Sequence, residues 1–92
     1  MEVTADVERV RSLATLLDLA IGTARLATYF LMVGNLKEAA EQQVSAELTY
    51  ALCMLDWVAL DIDTHATDAL RRKRADLERL MMALANGDAP YS

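Results

Sequence analysis

From Val3 to Val33 the chain reads VTADVERVRSLATLLDLAIGTARLATYFLMV, its longest and most apolar stretch, and the spacing inside it leaves few folds open. Val3, Val7, Val10, Ala14, Leu17, Ile21, Ala24, Thr28 and Leu31 follow one another at alternating steps of four and three. That rhythm belongs to one face of an α-helix packed along another helix. A second row, Leu13, Leu16, Ala20, Ala27 and Phe30, runs beside the first. The buried arc is therefore wider than the seam of a two-stranded coiled coil, and more than one neighbouring helix is needed to cover it.

The third stripe, Thr4, Glu8, Arg11, Thr15, Asp18, Gly22, Arg25 and Tyr29, holds both interior charges of the apolar half and is expected to face water. A membrane-spanning helix needs about 20 mostly uncharged residues. Asp18 and Arg25 would fall near the centre of such a span, where charge is costly, so a membrane helix is not expected.

The rest of the chain supplies the neighbours. Thr4 or Asp6 can cap the first helix, expected at about 4–33. Gly34-Asn35 should end it, because both residue types tolerate the left-handed conformation that closes helices. A tight reversal there sets a second helix, about 36–61, antiparallel to the first. Its second half, LTYALCMLDWVAL, is apolar nearly all round and should lie beside Leu13–Ile21 as the densest core.

LATYFLMV of the first helix then faces the polar start of the second and needs other cover. A third helix, about 64–86, can provide it through Leu70, Leu77, Leu80, Met81, Leu84 and Ala85 if it folds back. Asp61, Asp63, Thr64 and Thr67 disfavour helix at the intervening corner. Because no Gly or Pro occurs from Leu36 to Asn86, one uninterrupted helix stays open as an alternative. Asn86-Gly87 closes the last helix, and 87–92 is read as a tail.

Aromatic residues make up only 5% of the chain, and Gly 3 and Pro 1 leave little material for turns, which argues against sheets. The expected fold is all-α: residues 1–92 form a single helical domain, an antiparallel three-helix chain. A domain this short buries a small fraction of its surface, so it is expected to be completed as a helical bundle by self-association, most simply a two-fold homodimer. The candidate interface residues are Leu13, Leu16, Ala20, Ala27, Phe30, Met32 and Met81. Met32, Met81 and Met82 are placed at one end, where flexible thioethers suit an adaptable surface.

A net charge of −5 should repel a phosphate backbone, so nucleic acid is not the default partner. Arg71, Arg72, Lys73 and Arg74 are the only basic run and the one candidate for an acidic or phosphate-bearing partner. Asp68, Asp76 and Glu78 stand four residues from Arg72, Arg72 and Arg74, which reads better as a solvated face laced with ion pairs. The lone Cys53 cannot form an internal disulfide and is expected to be buried. An acidic N-terminus without the pattern of a secretory signal points to a cytoplasmic setting.

Reactive constellations are thin. Asp56, Asp61, Asp63, His65 and Asp68 gather near the second corner, where carboxylates and a histidine can hold a metal. Capping and turn chemistry explain these acids better, with His65 as a first-turn residue. Glu38, Glu41 and Glu47 are expected to be solvated. Asp18 and Asp56, set within apolar runs, are the acids to inspect for burial, with Arg25 or Arg11 as possible partners. Trp57 with Cys53, Met54 and Tyr50 reads as a core anchor before a pocket wall.

The sequence holds no Gly-rich phosphate loop, no Ser-x-Gly elbow and no Cys-x-x-Cys pair, so no catalytic, cofactor or metal residue is assigned. The expected function is a non-enzymatic protein–protein interaction or assembly module, with itself or an unidentified protein as partner. A small regulator using the basic run and a carboxylate-lined enzyme or metal-binding bundle are the alternatives.

Overall fold

A computed structural model describes residues 2–59 and 68–87, with side chains from Val7 onward. The protein is all-α: α1 spans Glu2–Met32, α2 spans Leu36–Ala59 and α3 spans Asp68–Ala85, and no strand occurs among the described residues. At 1.5 Å per residue α1 alone is about 46 Å long, which accounts for the longest of the principal extents, 50 × 20 × 15 Å.

The first reversal is built as its sequence implies. Gly34 takes φ +82°. Its N–H donates to the carbonyl of Leu31 at 3.2 Å, and the N–H of Asn35 donates to that of Phe30 at 2.9 Å. This Schellman closure satisfies carbonyls that the helix end would leave unpaired. Asn35 then starts α2, its Oδ1 accepting from the N–H of Glu38 at 3.3 Å. Gly87 closes α3 in the same left-handed conformation at φ +72°.

Asp61, Asp63, Thr64, His65 and Thr67, with the expected helix boundaries at 61 and 64, lie outside the described residues. Even so, the uninterrupted helix is excluded. Tyr50 Oη donates a hydrogen bond to Glu78 Oε2, and the Arg74 guanidinium sits 4.7 Å from the centre of the Trp57 ring. Residues 50 and 78 on one continuous helix would be about 42 Å apart. The two pairs also fix direction, since later α2 residues meet earlier α3 residues. α2 and α3 are antiparallel, and α3 runs parallel to α1, with Lys73 reaching Asp18.

Leu13, Leu17, Ala20, Ala24 and Ala27 of α1 are completely buried, with Ala46 and Cys53 of α2 and Leu77 of α3. Trp57, Leu70, Leu80 and Leu84 complete the same cluster, and Leu16, Leu31, Tyr50 and Met81 pack against it half-buried. The seam and the apolar half of α2 thus share one core through Cys53 and Trp57, and that core continues to Ala27 and Leu84. Thr28, the one polar residue of the seam, is also completely buried. Its Oγ1 donates back to the Ala24 carbonyl at 3.0 Å, so no polar atom is stranded. Glu8, Arg11, Thr15, Asp18, Gly22, Arg25 and Tyr29 are all exposed, which is the expected outward stripe; the side chain of Thr4 is outside the described set.

Candidate interaction surface

Positions 44–59 of α2 are apolar on every side of the helix apart from Glu47 and Asp56, with Ser45 and Thr49 as the only other polar residues. One neighbour and a half cannot cover such a helix. Ala46, Cys53 and Trp57 turn inward. On the opposite side, nine residues or two and a half turns away from Cys53, Val44 keeps 55% of its surface, Leu48 64%, Leu52 56%, Leu55 68% and Val58 80%. Ala51 and Ala59 are exposed between them.

No charge interrupts this face. Glu47 stands at its edge, over a groove toward α3, and Asp56 is half-buried on the other flank beside Cys53. The exposed apolar area is on the order of 500 Å², comparable to the largest patch on an ordinary monomer, where such patches often mark contact sites.

α1 has a bare patch of its own. Leu19, Leu26, Tyr29 and Val33 remain 42–59% exposed around Gly22, where a Cβ would meet nothing within 4 Å. Arg25 borders it. α3 has no equivalent stripe: of its large apolar residues only Met82 is mainly exposed.

Several residues expected at an interface are claimed by the single chain itself. Leu13, Ala20 and Ala27 are completely buried by α2 and α3 and offer nothing to a second copy. Leu16, Phe30 and Met81 are half-buried, and Met32 is 60% exposed. The apolar surface that the fold leaves outside is shared between α1 and α2, and the α2 share falls on residues that periodicity had not separated from the core. The signal was present in the apolar residues spread round every side of 44–59: one helix cannot turn every side inward in a three-helix chain.

The basic run is split by its position on α3. Lys73 pairs with Asp18, and Arg74 lies on Trp57 and pairs with Glu78 at 3.4 Å, while Arg71 and Arg72 are exposed. Asp76 pairs with Arg79 at 2.7 Å instead of Arg72. Asp18 thus meets Lys73, not Arg25 or Arg11, and is exposed rather than buried. Glu41 and Glu47 are exposed and Glu38 is half-buried. Among the described residues no three of His, Cys, Asp and Glu gather closely enough to hold a metal. Asp61, Asp63 and His65 are outside those residues.

Between α2 and α3 an open groove of about 670 Å³ is lined by Glu47, Tyr50, Glu78, Met81, Met82 and Ala85. Burial raises the Tyr50 phenol above its ordinary value of 10.0, helped by its hydrogen bond to the Glu78 carboxylate. Burial likewise raises the Cys53 thiol above 9.0, with Asp56 adding to the effect. A phenol and a thiol held in their neutral forms are poor nucleophiles. Trp57 is only 3% exposed and anchors the core.

Over Val7–Met32, α1 is long and apolar enough to cross a membrane by length and composition alone; a third of its most apolar window is buried inside the fold. When compared with known proteins, the chain matches no family model, no curated protein and no solved structure.

Proposed function

We propose that this chain is a non-enzymatic assembly module: a helical hairpin braced by a third helix, which self-associates into a homo-oligomeric bundle. The observation that supports this most directly is the outer face of α2, where Val44, Leu48, Leu52, Leu55 and Val58 each keep more than half of their surface in water with no charge between them. Burying such a face gains roughly 25 cal/mol for each Å² removed from water. A second copy offers an equally large and equally uncharged surface.

Sedimentation velocity across nanomolar to micromolar concentrations tests the reading. The expected result is a species of twice the 10.2 kDa chain mass or more that dissociates on dilution. A folded monomer throughout that range would overturn it.

A further inference from the structure

Resting on the assembly reading, we infer that the occupant of the α2 face is the same face of a second copy, laid antiparallel about a two-fold axis near Ala51 and Leu52. The spacing comes first. Val44, Leu48, Ala51, Leu55 and Val58 alternate by four and three, all exposed. Two helices with this spacing cross at about 20° and stay in contact along their length, here about 21 Å. Ala51, at the middle of the stripe, has the short side chain that lets two backbones approach where the axis would pass.

Area points the same way. Two copies contributing on the order of 500 Å² each would bury about 1,000 Å², the lower limit for a specific interface. The α1 patch is divided by Gly22 and bordered by Arg25, so it lacks the continuous uncharged stripe of α2. Joining the α2 face to an α1 patch head to tail gives rings or open chains according to the rotation between copies. Joining like to like closes.

Direction follows from charge. Continued toward the N-terminus with the same spacing, the stripe passes through Glu41 and then Lys37, both exposed. A parallel pair would set each of these opposite its own copy across the seam, two like-charge contacts in a closing apolar interface. An antiparallel pair overlaps residues 44–58 completely and carries Lys37 and Glu41 past the end of the partner's stripe. Opposed helix dipoles add a smaller preference of the same sign.

Disulfide trapping in a Cys53→Ala background tests the arrangement. Ala51→Cys chains are expected to cross-link to themselves under mild oxidation. Val44→Cys or Val58→Cys chains alone should not, whereas a mixture of the two should. Self-linking of both Val44→Cys and Val58→Cys would mean a parallel pair and overturn the inference.

Leu48→Glu with Leu55→Glu provides a second readout. Both side chains are outside the single-chain core, so helicity is expected to be unchanged while the dissociation constant rises roughly 100-fold or more. An undiminished oligomer in that double variant would place the contact on another face and overturn the inference while leaving the assembly reading standing. A wild-type monomer that pellets with phosphatidylcholine–phosphatidylglycerol vesicles, and fails to when Leu48 and Leu55 are Glu, would assign the face to a lipid surface and overturn both.

Discussion

Tyr50 shows how much of this molecule's cohesion depends on single contacts between α2 and α3. Its hydroxyl reaches Glu78, which also meets Arg74, and Arg74 covers the ring of Trp57. Tyr50→Phe removes the hydrogen bond at a half-buried site and is expected to cost about 1 kcal/mol. The phenol also makes stability depend on alkaline pH. Below pH 10 it is neutral in both states and its contribution is complete. Above that, the unfolded phenol ionises while the folded one still holds its proton, so stability falls until the raised folded value is passed. Urea midpoints at pH 8 and pH 11 should fall further for the parent than for Tyr50→Phe. Both are compared as Cys53→Ala variants, because the Cys53 thiol, also raised, adds a loss of the same sign from about pH 9. Equal losses in the two chains would remove the assigned role of Tyr50. Native Cys53, completely buried, should react with a thiol reagent roughly 100-fold more slowly than in urea; equal rates would contradict its burial.

At the scale of elements, two glycines separate geometry from propensity. Gly34 closes α1 at φ +82°, so Gly34→Ala forces a side chain into left-handed backbone and should destabilise the fold by about 1–2 kcal/mol. Gly22 is mid-helix, exposed and without a neighbour at its Cβ position. Gly22→Ala should therefore stabilise α1 by up to about 1 kcal/mol, a change readable as a shift in urea midpoint. Weaker association in that variant would show that a partner helix needs the gap and would move the interface from α2 to α1. The first turn was legible because Gly and Asn adjoin at the end of a periodic run. The second corner was legible only in part: its residues lower helix propensity and so favoured a break without requiring one, and the contacts of Tyr50 and Trp57 with α3, invisible in local sequence, are what establish the fold-back.

For the molecule as a whole, the proposed self-association would couple stability to concentration. The melting temperature should rise with protein concentration, since a partner that binds only the folded chain stabilises it by mass action. The Leu48→Glu, Leu55→Glu variant should melt at a temperature independent of concentration. A parent chain that also melts at one temperature from micromolar to millimolar would contradict assembly. The sequence by itself determined the helical class, the turn at Gly34-Asn35 and the orientation of α1, because both charges of its apolar half fall on one stripe and give that helix a phase: Leu17, Ala24 and Thr28 had one side to bury, and Asp18 and Arg25 one side to expose. Residues 44–59 of α2 have no such phase, being apolar in nearly every direction. Only the tertiary structure decided that Cys53 and Trp57 turn inward and Leu48 and Leu55 outward, because the choice depends on where α1 and α3 stand around the helix, and periodicity within one helix does not encode the positions of its neighbours.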